Sequence, residues 1–254
     1  PAAGEYSVEV LAGGLTTFAE TYLAGAATRE ARAWLDGNRE RRAAIAAQLD
    51  RALPARPPGF CIGCPERPVF SALKLAQQDV GEVHIAGDIG CHAFGTFEPF
   101  SMGHSILGYG MSLASRAGVS PMMQRRTLAI MGDGGFWHNG LLTGVQSALF
   151  NGDDAVLLIF KNGYTSATGT QEILSTPAED AKAGAADKAL SLAHVNQTIE
   201  GALRGLGVQW MRTVHTYEVD RMRATLEEAF TADFNGLKVI VAEGECQLER
   251  QRRI

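Results

Sequence analysis

The sequence is short of positive charge. Its 23 lysines and arginines stand against 28 aspartates and glutamates, a formal net charge of −5, whereas a protein that tracks a nucleic-acid backbone needs surplus cations to displace phosphate counterions. No nucleic-acid partner is expected. Long hydrophobic runs are also missing. The longest apolar stretch in the middle of the chain, Ala155 to Phe160, is far below the roughly 20 residues of a membrane-spanning helix, so no membrane partner is expected. Cysteine is scarce as well, with four in 254 residues. That is too few for a disulfide scaffold at this length, and nothing in the composition suggests an oxidising compartment. A cytoplasmic protein with metal-binding or inertly buried thiols is expected.

What is present is enough apolar material for a sizeable core: 46% hydrophobic and 20% charged residues, with a mean hydropathy of −0.03. Disorder is therefore not the default. Glycine, at 29 residues, exceeds the usual share of about 7%, and the excess falls between Gly59 and Gly169. Glycine gathered in one stretch suggests backbone brought close to a ligand.

Residues 1–58 read as a helical lead-in and linker. A short alternating segment, Tyr6 to Leu11, precedes helical patterning from Leu15 to Ala24 and a polar Ala/Arg/Glu-rich helix from Arg29 to Ala52. The Arg/Glu run reads as a solvated face. Prolines at 54, 57 and 58 then break any helix. Residues 59–254 alternate between strand-like and helix-like segments, the pattern of an α/β domain with a mostly parallel sheet and helices on both faces. Strands are expected at Glu82–Ala86, Thr127–Met131, Ala155–Phe160, Gln209–Val214 and Leu237–Ala242. Helices are expected at Arg67–Gln78, Gly103–Ala117, Gly140–Phe150, Ser191–Leu206 and Val219–Thr231, with Ser175–Lys188 a loop or short helix. Beginning with Pro1 and stopping shortly after Cys246, the chain is expected to be a section of a longer polypeptide.

The most specific local feature is Met131-Gly132-Asp133-Gly134-Gly135, at the end of one expected strand and just before a helix. Glycines there let backbone amides approach an anion, and a helix N-terminus favours it. A lone carboxylate would repel phosphate, so Asp133 implies a bridging cation, with Mg²⁺ the usual oxygen-ligated choice. The next strand runs into Lys161-Asn162-Gly163-Tyr164. In a parallel sheet both strand ends face one crevice. Mg²⁺ there would take the Asp133 carboxylate, the Asn162 side-chain oxygen, the Tyr164 carbonyl, two phosphate oxygens and a water.

The cysteines also collect at that edge. Cys61-Ile62-Gly63-Cys64 precedes a helix, Cys91 follows the strand ending at Ala86, and Cys246 follows the last strand. Four converging thiolates suit a [4Fe–4S] cluster or a structural Zn²⁺, and the pattern alone leaves both open, together with inert burial.

Gly132-Asp133-Gly134 with Asn162 downstream resembles the thiamine diphosphate fingerprint, and Thr168-Gly169-Thr170-Gln171 resembles the Thr-Gly-x-Gln tract of the 2-oxoacid:ferredoxin oxidoreductases. Within that superfamily, Phe60 to Pro68, Gly87 to Cys91 and Gly135 to Gly140 look most like the indolepyruvate:ferredoxin oxidoreductase branch. The resemblance covers Pro57 to Cys246. It implies the diphosphate-binding type of thiamine diphosphate domain, with Cys61, Cys64, Cys91 and Cys246 holding a [4Fe–4S] cluster. It further implies cofactor contacts from Asp88, Ile89, Gly90, Cys91, Gly132, Asp133, Gly134, Gly135, Asn162, Tyr164 and Thr165.

The implied reaction converts a 2-oxoacid such as indolepyruvate to acyl-CoA and CO₂, with coenzyme A as co-substrate and ferredoxin as electron acceptor. His138, four residues past the diphosphate loop, is the first candidate for proton transfer, with loop positioning as its other reading. Glu66 matches a family glutamate near the cofactor, or is simply an acid at a helix N-terminus. His92 and His104 flank the second cofactor loop; His84, His194 and His215 read as structural or exposed.

Departures from the pattern fall near the substrate. Many indolepyruvate enzymes have His in place of Glu66 and Gly-Asp-Ser in place of Gly132-Asp133-Gly134, and Ala167 replaces an Asn of the pyruvate enzymes. Thiamine enzymes also use a glutamate from a pyrimidine-binding domain, which this chain has no room for. That domain, a gamma-type domain and a dimeric assembly are expected partners, in the same polypeptide or another, and this section should be inactive alone. The Gly103–Gly110 segment, read as a small-sided helix, suits such a neighbour or tight packing on the sheet. Two rival readings are a non-oxidative thiamine diphosphate-dependent decarboxylase or synthase, and a zinc-stapled noncatalytic module.

Overall fold

The computed structural model describes residues 8–23, 26–49, 59–177 and 197–253. Two compact units make up the chain, Pro1–Pro57 and Pro58–Ile254. The first is a pair of helices, α1 (Val8–Tyr22) and α2 (Ala26–Ala47). Arg32 and Arg42 of α2 reach Glu20 and Glu9 of α1, each at 2.5 Å. The alternation beginning at Val8 is the first turn of α1 and no strand. Val8, Leu11, Leu15, Phe18 and Tyr22 continue a three-to-four spacing that outlasts the period of two. Tyr6 and the proline tract lie outside the described residues.

The second unit contains eight strands among its described residues: β1 (Ile85–Gly87), β2 (Ser105–Ile106), β3 (Leu128–Gly132), β4 (Ala155–Lys161), β5 (Tyr164–Thr165), β6 (Gln171–Glu172), β7 (Trp210–His215) and β8 (Leu237–Glu243). Six form one sheet in the order β2-β1-β3-β4-β8-β7, every pair parallel, while β5 and β6 form a small antiparallel pair. Its helices are α3 (Glu66–Val80), α4 (Ser112–Val119), α5 (Asp133–Gly135), α6 (Ser147–Asn151), α7 (Ile199–Gly205), α8 (Val219–Thr231) and α9 (Gln247–Arg253). No helix among the described residues is long and apolar enough to cross a membrane.

Side-chain alternation divides the core between the two faces of the sheet. Leu128, Ile130, Val156, Leu158, Phe160 and Ile240 pack with Val69, Phe70 and Leu73 of α3 and Met222 and Leu226 of α8. Ala129, Met131, Leu157, Ile159, Val239 and Val241 pack on the other face with Leu113, Phe136, Val145, Ile199 and Leu203. The central strand β4 is buried from Ala155 through Phe160, which is why its sequence is an uninterrupted apolar run.

The structure corrects two expected elements. Gly103–Ala117 is not one helix: Ser105–Ile106 forms edge strand β2, a turn follows, and α4 starts only at Ser112. Gly103 at φ +146° and Gly110 at φ +75° hold conformations that a helix does not contain. The small-sided docking helix read there does not exist. The helix expected from Gly140 instead begins at Asp133, runs through a π-helical stretch, Phe136–Gln146, and ends in α6. Wide π turns are favoured where ligands must be met. Most of the Ser175–Lys188 segment, and the first residues of the Ser191–Leu206 helix with His194, lie outside the described residues.

Candidate functional site

Register sets the site. Gly132 lies beside Phe160 across β3 and β4, and Lys161 beside Glu243 across β4 and β8. Asp133, Asn162 and Cys246 therefore leave adjacent strands at one carboxyl edge. Asp133 Oδ1 accepts from the Gly134 N–H at 2.9 Å, and Oδ2 accepts from the N–H groups of Asn162 and Gly163 at 2.8 and 2.6 Å. Asn162 Oδ1 accepts in turn from the Tyr164 N–H at 3.1 Å and the Ser166 hydroxyl at 2.9 Å. The two loops are thus locked together before any ligand arrives.

A cavity of roughly 200 Å³ opens over these loops, lined by Glu66, Gly90, Cys91, His92, Tyr109, Gly132 to Gly135, Asn162 and Tyr164 to Thr168. Ile89 completes the lining. Asp88 lies just behind it, fully buried, and both its carboxylate oxygens accept from the Gly110 N–H at 2.8 Å. A side chain at Gly135 would strike Asp88, and one at Gly110 would strike the Gly135 carbonyl at 2.5 Å. Glycine is required at both because Asp88 and the turn at Gly110 are pressed against the first turn of α5.

The acids here are buried without a cation. Asp133 is 1% exposed, and burial pushes its carboxyl up to about 7 against the pull of its amide donors. Burial, with Asp133 second, pushes Glu66 up to about 8, and the Glu66 Oε2 atom has no hydrogen-bond partner. Asp88 is raised by burial to about 6, opposed by amide donors. A cation among these carboxylates would reverse the first cause, since desolvation is costly only while the charge stays unpaired. Asp133, the Asn162 amide oxygen and the Tyr164 carbonyl are hard oxygen donors and fit Mg²⁺.

All four cysteines are free. Cys61 is exposed, Cys91 half-buried, and Cys64 and Cys246 buried. Burial pushes Cys64 up to about 12, and the charges of Glu66, Cys61 and Cys246 reach it. Cys91 is raised by burial, then by Glu66, Cys64, Cys246 and Cys61. Cys61, Cys64 and Cys246 all lie within electrostatic reach of Cys91. Among the described residues, no three His, Cys, Asp or Glu side chains are placed to hold a single metal ion. Four thiolates are the soft donor set that both a structural Zn²⁺ and an iron–sulfur cluster take.

His138 is exposed and outside the cavity lining, its ring 5.0 Å from that of Tyr109. His215 is exposed at the end of β7. His84 and His104 stack at 5.2 Å beside β1, where His104 Nδ1 accepts from the Ile85 N–H. Sequence reasoning missed Tyr109 as a site residue. Its hydroxyl lies 3.2 Å from that of Thr165, and a side chain at Gly134 would meet both within 2.4 Å. Two hydroxyls therefore sit above the first turn of α5. It also underrated His92, which is buried, stacked on Phe160 at 6.0 Å, lowered to about 4 by burial, and unpartnered at Nε2. No motif marks either residue; Gly90 gives the one local signal, since a side chain there would strike the His92 ring.

Residues 79–242 match the family described as thiamine pyrophosphate enzyme, C-terminal TPP binding domain. The chain is 30% identical over 208 residues to the indolepyruvate oxidoreductase subunit IorA of Archaeoglobus fulgidus, covering 81% of this chain and 32% of that protein. It is 28% identical over 200 residues to the subunit of the same name from Methanothermobacter thermautotrophicus, covering 77% and 30%. The chain thus spans about a third of the length of these relatives. A 2-oxoglutarate:ferredoxin oxidoreductase from Magnetococcus marinus, solved with 2-oxoglutarate, coenzyme A and succinyl-CoA, shares the fold at a TM-score of 0.60 and 13% identity, covering 79% of this chain and 70% of that one. The chain belongs to the thiamine pyrophosphate enzymes as a C-terminal TPP-binding domain.

Proposed function

We propose that this chain is the thiamine diphosphate- and [4Fe–4S]-binding part of an enzyme that oxidatively decarboxylates 2-oxoacids, with indolepyruvate-type aryl pyruvates as its substrates. The overall reaction is 2-oxoacid plus coenzyme A giving acyl-CoA, CO₂, one proton and two electrons, the electrons passing to ferredoxin. One observation carries the reading: Cys91 of the thiol set and Asp133 and Asn162 of the diphosphate loops line the same cavity. When bound, thiamine diphosphate supplies the electron sink for decarboxylation and the cluster takes up electrons singly.

The chain's own residues bind and orient. Asp133, Asn162 and the Tyr164 carbonyl would hold Mg²⁺, while the Gly134 and Gly135 amides at the start of α5 would meet phosphate oxygens. Cys61, Cys64, Cys91 and Cys246 would hold the cluster. Glu66, which lines the cavity with its Oε2 atom unpartnered, would be a proton donor at the reacting centre. His138, outside the lining, acts at the rim through Tyr109. The glutamate that activates the cofactor would come from a pyrimidine-binding partner domain.

The test is anaerobic purification of the complete enzyme, with iron and labile sulfide analysis and coenzyme A-dependent dye reduction across a series of 2-oxoacids. Brown protein with about four irons per site and activity on indolepyruvate is the expected result. Colourless, iron-free protein that still decarboxylates would establish the non-oxidative reading. One zinc per chain without thiamine diphosphate binding would establish the noncatalytic one.

A further inference from the structure

Ser166, Ala167 and Thr168, in the turn between β5 and β6, form one wall of the cavity. The turn is closed on itself. The Gly169 N–H donates to the Ser166 carbonyl at 3.1 Å, and Gln171 meets Thr168 twice, accepting from its hydroxyl at 2.6 Å and donating to its carbonyl at 2.7 Å. Whatever holds Gly169 and Thr170 therefore holds the wall. Thr170 sits at φ +61°, a left-handed conformation that a β-branched residue rarely adopts and that persists only where its surroundings impose it.

Those surroundings come from α9. The buried Thr170 hydroxyl donates to Glu249 Oε2 at 2.7 Å, with the Gly169 carbonyl its other acceptor at 2.7 Å. Arg252 Nη1 donates to the same hydroxyl at 2.6 Å and to the Gly169 carbonyl at 3.0 Å. Glu249 is 1% exposed, and burying a carboxyl is costly unless it is hydrogen-bonded, so Thr170 is part of what keeps it there. The same helix starts at the fourth thiol. The Cys246 carbonyl accepts from the Arg250 N–H at 2.9 Å, which makes Cys246 part of its first turn. Gln247 lies against the Cys61–Cys64 turn, 3.7 Å from where a Gly63 side chain would begin. The remaining ion pairs of α9, from Arg250 and Arg253 to Glu245, tie it to its own lead-in. One short, stiff helix thus runs from the cysteines to the cavity wall.

We propose that Glu249 and Arg252 are positioning residues through which the thiol site sets the cavity. With Cys246 engaged by the cluster, α9 is fixed, Gly169 and Thr170 are held, and the Ser166–Thr168 wall stands in place for thiamine diphosphate. With the thiols unengaged, helix and wall loosen together. The proposal rests on the thiamine diphosphate and [4Fe–4S] reading above. A coupling free energy between two sites is reciprocal, so the cofactor in turn strengthens the hold on the cluster.

The test measures the thiamine diphosphate Kd of the complete enzyme by calorimetry in Mg²⁺, once with its iron and once after anaerobic chelation. Wild type is expected to bind about tenfold more weakly without iron. Thr170→Val removes the hydroxyl on which both α9 side chains converge, and Glu249→Ala removes its acceptor from the other end. Each should bind about tenfold more weakly with iron in place and lose no more than about a further twofold when the iron is taken away, because the link is already cut. Glu249→Gln keeps an acceptor oxygen and should bind within about twofold of wild type in both states. Iron and labile sulfide at wild-type content show that each variant is folded and loaded, and the two cuts from opposite ends guard against one of them misfolding. Equal wild-type affinity with and without iron, or wild-type affinity in both cut variants, would overturn the link and leave the cofactor reading intact. Wild type that holds no iron or binds no thiamine diphosphate would overturn that reading, and the link with it.

Discussion

The two edges of the sheet treat their acids in opposite ways. At the amino edge, Asp154 accepts from Lys238 Nζ at 2.5 Å and from Arg126 Nε at 2.9 Å, and Arg126 also donates to the Phe230 carbonyl. Burial alone would raise Asp154, yet these two cations hold it below the usual carboxylate range. At the carboxyl edge Asp133 and Asp88 meet backbone amides, with only the more distant His138 also drawing on Asp88, Glu66 Oε2 meets nothing, and all three acids are raised. One edge is finished by the protein itself. The other is left with charge that a ligand must complete, and this unpaired state separates a binding site from a structural network of the same residue types.

The largest expected effect breaks the finished edge. Asp154→Ala leaves Lys238 fully buried and without its anion, and should cost about 3 kcal/mol of stability in urea unfolding while leaving the thiamine diphosphate affinity of the folded protein unchanged. Asp133→Ala acts first on the ligand. Calorimetry in Mg²⁺ should show cofactor affinity lower by on the order of 100-fold, with the melting temperature of the cofactor-free protein also lowered, since the Gly134, Asn162 and Gly163 amides lose their acceptor.

Acidity separates the edges next. Asp133 and Glu66 bind protons more tightly folded than unfolded, so the stability they contribute is present below the unfolded value of about 4 and is lost as pH rises through about 7 and 8. Asp154, held low, contributes stability above about 4 that disappears as pH falls below that value. Melting curves from pH 3 to 9 should therefore fall at both ends. Glu66→Gln should flatten only the alkaline limb, and Mg²⁺ with thiamine diphosphate should flatten it in wild type. The smallest effect belongs to Tyr109→Phe, which removes one hydroxyl above α5 and should weaken cofactor binding about fivefold without moving the acid limb.

Several parts of this molecule are legible from local sequence. The run Ala155–Phe160 is apolar because β4 is covered on both faces, and Val219–Thr231 is helical over the whole expected range. Gly132-Asp133-Gly134 and Asn162 mark their loops because each loop needs particular residues at consecutive positions. The failures share a different cause. Strand β2 is two residues long and exists only because β1 offers Ala86 and Gly87 as partners. The start of the helix at Asp133 is hidden by glycines that propensity places in turns.

Sequence alone determined the class of the molecule, a parallel α/β domain with glycine-rich loops and thiols at strand ends, because strand period, turn chemistry and the spacing of a fingerprint are local properties. Only the tertiary structure decided which side chains share the cavity. Glu66, His92, Tyr109 and Asp133 come from segments far apart in the chain, and what each can do depends on how much water and how many opposite charges the others leave around it. Burial and charge pairing are sums over neighbours in space, which no stretch of sequence contains.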